Sequence, residues 1–176
     1  MASLIISIIA LCIGVANLTW QLALYLLNGP RVRVHLAVGA LGRGGMVTTP
    51  VKTVKDLNET FAAFGAQGFE RPVLVVKVVN HGRLAVQLLD FGIEAPKGVS
   101  AKPLSDAITE TPMPYVLEPH REGTWAMPFE YAADLTRACR AVWPGEVHPL
   151  RAYVHRAGGK KICSVESLPL DLRDAA

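Results

Sequence analysis

Along this chain the apolar positions are first continuous and then alternate. From Met1 through Pro30 no side chain is charged, and Leu4, Ile5, Ile6, Ile8, Ile9, Leu11, Ile13, Val15 and Leu18 carry one apolar stretch on to Leu27. A helix crosses a hydrocarbon core in about 20 residues at about 1.5 Å each, so this stretch is long enough. It predicts a transmembrane anchor over residues 1–29. A cleaved signal peptide would place a positive segment ahead of a shorter apolar run, and no Lys or Arg stands upstream here. A buried core helix of this length would need protein on every side. At Arg31 the period becomes two: Val32, Val34 and Leu36 face one way and Arg31, Arg33 and His35 the other, as in a half-buried strand. Asn28-Gly29 and Pro30 stop the helix, so the anchor leads almost directly into a sheet.

The alternation predicts a β domain over residues 30–176. In PVLVVKVVNHG, Leu74, Val76 and Val78 form one face and Val73, Val75 and Val79 the other, with Lys77 the sole charge, which marks a strand covered on both sides. Asn80-His81-Gly82-Arg83 reads as a hairpin turn, with residues 86–93 returning as the partner strand and Asp90-Phe91-Gly92 as a bulge or bend. Leu117 and Trp125 point inward from either side of a turn over residues 118–123. Leu150, Ala152 and Val154 alternate with Arg151, Tyr153 and His155, and Ala157-Gly158-Gly159-Lys160 turns the chain into residues 162–165.

Three segments break the alternation. Residues 42–70 read as a loop and helix insert, with Gly42, Gly44 and Gly45 in the loop and residues 53–56 capping a short helix that bears Leu57, Phe61 and Phe64. Residues 96–114 read as a Pro- and Ser-marked connection. Residues 132–142 read as a second helix with Leu135, Ala138, Cys139 and Val142 on one side. The fold class that follows is mainly β: a transmembrane helix, then a β-sandwich with one or two short inserted helices.

The end of the apolar run carries its own signals. Trp20 and Tyr25 are residue types that favour the headgroup layer, and Arg31 and Arg33 lie just beyond, so these four mark a membrane interface. Ser3, Ser7, Ala10, Gly14, Asn17 and Gln21 recur at alternating spacings of four and three, which places small and amide side chains along one helix seam. Ser7, Gly14, Asn17 and Gln21 are the helix-packing candidates, because small residues let helices approach and amides bond across the contact. Arg31, Arg33, Arg43, Lys52 and Lys55 all follow the run, and positive-inside logic then puts the C-terminal domain in the cytoplasm of a single-pass cell-membrane protein.

The order VVKVVNHGRLAVQLLDFGIE, YVLEPHREGTWAMP, LRAYVHRAGGKKICS resembles small immunoglobulin-like or fibronectin-like sandwich domains, in which an Asn-x-Gly strand end is followed by a Leu-x-Pro turn. An uncharged helix ending in Trp-Gln ahead of such a domain is similar to short bacterial, actinobacterial-type single-pass membrane proteins. The resemblance implies an immunoglobulin-like sandwich and no particular activity, and no functional residue carries over from it. His120 stands where such turns often carry Gly.

Composition narrows the chemistry. The net charge is +3, with no Lys/Arg run longer than Lys160-Lys161, so a nucleic-acid partner is not expected. Three cysteines, one of them in the apolar run, exclude a disulfide scaffold, and Cys139 and Cys163 as single thiols suit a reducing compartment. The five histidines show no i, i+4 pair on a helix and there is no Cys-x-x-Cys, so no metal or other cofactor is expected. Gly42-Arg43-Gly44-Gly45 lacks the Lys-Ser/Thr of a phosphate loop, and no Gly-x-Ser-x-Gly elbow occurs. With no catalytic residues and no small-molecule substrate indicated, the expected function is a non-catalytic, membrane-anchored recognition or assembly module. Its partners are the lipid bilayer and a protein, or a second copy met through the helix seam. The alternative is a structural subunit of a larger viral or envelope particle, whose apolar helix packs against neighbouring protein.

Overall fold

The computed structural model describes residues 2–29, 31–103, 108, 112–144 and 148–170. Helix α1 spans Ala2–Asn28 and ends where Asn28-Gly29 predicts; Pro30 lies outside the described residues. Within it Ile5–Leu24 has a mean hydropathy of 1.9 and none of this window is buried against the rest of the chain. Among the described residues one helix is therefore long and apolar enough to cross a membrane, and the rest of the described chain does not cover it.

The remainder is two antiparallel sheets around one core. In the first, β1 (Val32–Gly42) lies between β2 (Gly45–Pro50) and β3 (Phe69–Asn80), and β3 is flanked on its other side by β7 (Glu122–Pro128). In the second, β4 (Val86–Glu94) pairs with β8 (Pro149–Arg156); β5 (Ser100–Ala101) and β6 (Tyr115–Leu117) share the far edge of β4, and β9 (Lys161–Cys163) and β10 (Leu168–Pro169) share the far edge of β8. Val34, Leu36 and Val38 of β1 and Leu74, Val76 and Val78 of β3 meet Leu88, Phe91 and Ile93 of β4 and Leu150, Ala152 and Val154 of β8, all buried, as the period of two dictates. Leu117 and Trp125 enter this core from β6 and β7. Val73, Val75 and Ala126 are buried on the opposite face of the first sheet, with Ile108 packed against them, so β3 is covered on both sides.

Four details correct the pattern-based expectation. Residues 80–86 do not close a hairpin. β3 already has β1 and β7 as neighbours, so no edge is left for β4, and the chain crosses to the other layer. The irregularity in β4 falls at Leu89, between Leu88 and Asp90, one residue ahead of the expected Asp90-Phe91-Gly92. Residues 45–50, expected as loop, are a strand: Arg43-Gly44 makes a two-residue turn between the paired Gly42 and Gly45, and the β-branched Val47, Thr48 and Thr49 continue the ladder. In α3 (Glu130–Val142) the buried stripe is Ala132, Leu135, Thr136 and Cys139, while Ala138 and Val142 are exposed. Thr136 takes the i+4 place in that stripe and rotates the buried face away from Ala138. Helix α2 (Leu57–Gly65) is as expected, with the Asp56 carboxylate accepting from the amides of Asn58 and Glu59 at 2.8 and 3.1 Å.

Candidate functional site

Two regions carry chemistry: the anchor helix with its exit, and the outer face of the second sheet. On α1, Ser7, Gly14, Asn17 and Gln21 are exposed and fall within an arc of about 80° at about 100° per residue. The Ser7 hydroxyl donates to the Ser3 carbonyl at 2.9 Å, so its proton is used within the helix. The amides of Asn17 and Gln21 have no hydrogen-bond partner among the described residues and are the donors this seam offers. Trp20 is 65% exposed on the same helix, and Arg31 and Arg33 are exposed at the start of β1. The Tyr25 side chain lies outside the described part.

The second region was not apparent from the sequence. On β4, β8 and β9 the outward positions are Asp90, Gly92 and Glu94, then Arg151, Tyr153 and His155, then Lys161 and Cys163, and the register sets Gly92 opposite Tyr153 and Tyr153 opposite Cys163. Gly92 leaves room for the Tyr153 ring: a Cβ there would stand 2.8 Å from the Tyr153 hydroxyl oxygen and 2.5 Å from the Ala101 carbonyl. Tyr153 is consequently buried on what would otherwise be the solvent face, with the Lys161 ammonium 4.3 Å from its ring centroid and the His155 ring edge-on at 5.1 Å. Around it the Cys163 thiol donates to Glu94 Oε1 at 2.9 Å, Lys161 Nζ donates to Glu94 Oε2, and His155 Nδ1 meets Asp90 Oδ1 at 2.6 Å.

This arrangement shifts the titration of Glu94, Cys163 and Tyr153. Burial pushes the Glu94 carboxyl up, but the hydrogen bonds from Cys163 and Lys161 outweigh it and hold Glu94 below its ordinary value. Burial pushes the Cys163 thiol up to about 11, helped by its hydrogen bond to Glu94 and the charge there. A thiol so held is the opposite of an activated nucleophile. Burial also raises the Tyr153 phenol. The face carries two polar clusters beside Tyr153, Glu94 with Cys163 and Lys161, and Asp90 with His155.

At the edge between the sheets, His35 Nδ1 meets Glu166 Oε1 at 2.9 Å. Glu166 also borders a cleft of about 290 Å3 lined by Lys52, Lys55, Asp56 and Leu57, and two others, of about 780 and 450 Å3, lie beside Arg43 and Gln67 and beside Pro72 and Tyr131. None of the three is lined by Glu94, Tyr153 or Cys163. Among the described residues no group of three His, Cys, Asp or Glu side chains is placed to hold a metal ion, and Cys12, Cys139 and Cys163 are free thiols. No protein-family model matches the chain, and no curated protein matches it in sequence.

Proposed function

We propose that the chain is a single-pass membrane protein in which α1 anchors a non-catalytic, immunoglobulin-like β-sandwich beside the bilayer, where it binds a protein partner. The observation that carries this reading is the uncovered window Ile5–Leu24, which leaves 20 consecutive helical residues with no protein to solvate them. Two residues, Gly29 and Pro30, separate α1 from Arg31, so the sandwich stands next to the membrane surface. The strand order supports the immunoglobulin-like assignment: β1, β3 and β7 in one sheet and β9, β8 and β4 in the other correspond to the A-B-E and G-F-C orders of that fold. Trp125 sits on β7 and no disulfide joins the sheets among the described residues, so the likeness is one of topology. The outer edge of β2 is open for a partner strand, and the seam through Asn17 and Gln21 gathers copies.

Alkaline carbonate washing of membranes from expressing cells tests the anchor: the chain stays with the lipid, and its release without detergent overturns the reading. For sidedness, Cys163 is a poor reporter because its thiol is half-buried and held protonated. A Val165→Cys variant labels well instead, since Val165 is 93% exposed. With a cytoplasmic domain, right-side-out vesicles bind an impermeant maleimide there only after lysis, whereas ready labelling of intact vesicles reverses the orientation.

A further inference from the structure

The register of both sheets brings three turns to the end of the domain at which α1 enters. Val32 pairs with Asn80 and Val79 with Glu122, so the end of β3 and the start of β7 lie beside the first residue of β1. In the other layer Val86 pairs with Leu117 and Leu88 with Arg156. The turns over residues 80–84, 117–121 and 156–160 therefore share one face with Arg31.

Hydrogen bonds tie the first two turns to each other and to Arg31, and the third to the start of β4, making one platform. His81 N donates to the Arg31 carbonyl at 2.7 Å, Asn80 N to that of Arg121 at 3.0 Å and Ala157 N to that of Gln87 at 2.9 Å. The Asn80 side chain, wholly buried, donates to the carbonyls of Leu84, Leu117 and Glu118 at 2.8, 3.2 and 3.3 Å and accepts from Gly82 N at 2.9 Å.

The platform is strongly one-signed. Arg31, Arg33, Arg83, Arg121 and Lys160 are exposed around it, with the half-buried Arg156 beside them, and none of them forms an ion pair among the described residues. Of the carboxylates at this end, Glu122 is held by Lys77 at 2.8 Å, which leaves Glu118. Six cations thus stand against one carboxylate without an ion pair among the described residues, so this end of the domain is positive. Amid these cations Leu84 is 53% exposed, and Val116 beside the second turn is 49% exposed. Cations around an exposed aliphatic residue match an anionic headgroup layer, which takes charge at its surface and an apolar side chain just beneath.

We propose that this face docks on the anionic lipid headgroups of the leaflet where α1 ends, holding the domain end-on to the bilayer as a second contact beside the anchor. The proposal rests on α1 being membrane-spanning. The tether enforces proximity: between Asn28 and Arg31 the backbone spans at most about 10 Å, so the platform stays within reach of the headgroups continuously. Docked this way, the domain keeps the open edge of β2 and the Tyr153 face directed along or away from the membrane.

The test uses the full chain in vesicles of phosphatidylcholine alone and of phosphatidylcholine with phosphatidylglycerol, carrying a nitroxide at Ala85→Cys or, as a control at the other end of β1, at Gly44→Cys. Adding phosphatidylglycerol lowers the collision rate of the Ala85 label with a water-soluble relaxant several-fold and high salt restores it, while the Gly44 label does not change. Arg83→Glu with Arg121→Glu abolishes the effect; both side chains are exposed, and Arg83→Gln with Arg121→Gln, which keeps size and polarity, reduces it by a smaller factor. Equal collision rates at Ala85 in both lipids, with the chain still resisting carbonate extraction, overturn the docking face and leave the anchor standing. Release of the chain by carbonate overturns the anchor and the docking face together. Protection that comes with added polyglutamate and not with phosphatidylglycerol overturns the lipid assignment in favour of an acidic protein.

Discussion

Glu94 accepts from a thiol and an ammonium on the neighbouring hairpin, and that double contact makes a residue-scale prediction. Its folded pKa lies below the ordinary 4.5, as does that of Glu166 beside His35. A carboxyl with a depressed folded pKa stabilises the fold above its unfolded pKa and loses that contribution as pH falls through the folded value. Unfolding free energy should therefore drop on acidification below about pH 4.5, and Glu94→Gln should shrink that drop while costing about 1–3 kcal/mol at neutral pH, read from denaturant midpoints. The same substitution removes the negative charge beside the Cys163 thiol, so maleimide labelling of Cys163 should speed up by about tenfold per pKa unit recovered, with burial retaining part of the shift. Unchanged labelling would show that burial alone protects the thiol. Little of this network was legible in advance. Alternation identified Arg151, Tyr153 and His155 as outward, but the partners lie more than sixty residues away on β4, and only the Leu89 bulge and the Gly158-Gly159 turn set which outward residues meet.

At the scale of elements, the segment 80–86 is the most instructive. Asn-His-Gly-Arg between two apolar runs has the composition of a hairpin turn, yet the Asn80 side chain is spent on carbonyls of Leu84, Leu117 and Glu118, which holds the chain in a crossing between layers. Asn80→Ala leaves buried Leu117 without that donor and the Gly82 amide without its acceptor, so it should cost about 2–4 kcal/mol in chemical denaturation. Asn80→Asp, which keeps the acceptor for Gly82 and loses the donors, should be no milder. A loss under about 1 kcal/mol would mean that the crossing is fixed by strand pairing alone. Periodicity found β1, β3, β8 and α2 because each buries a regular stripe. It missed β2 because the strand is short, exposed at alternate positions and marked only by three β-branched residues, and it mis-turned α3 because the buried Thr136 does not read as core.

The whole molecule joins an uncovered apolar helix to a well-packed two-layer domain, and on the proposed reading of that helix as a membrane anchor its behaviour in lipid would decide whether and how copies meet. Hydrophobicity does not drive association there, since acyl chains solvate Ile and Leu as well as protein does; close packing and polar bonds do. The seam offers Gly14 for approach and the Asn17 and Gln21 amides for bonding, Ser7 having committed its proton to Ser3. Polar interhelical bonds in bilayers average about 0.6 kcal/mol, roughly a threefold change in dissociation constant. Asn17→Leu should therefore leave membrane retention unaltered and weaken self-association by about that factor, measured by energy transfer between labelled copies as lipid dilutes them. Ala16→Leu, across the helix from the seam, adds similar bulk and should leave association as it is. If both variants associate like the parent chain, the helix acts as an anchor only, and any gathering of copies has to come from the domain, whose open β2 edge is then the surface to mutate next.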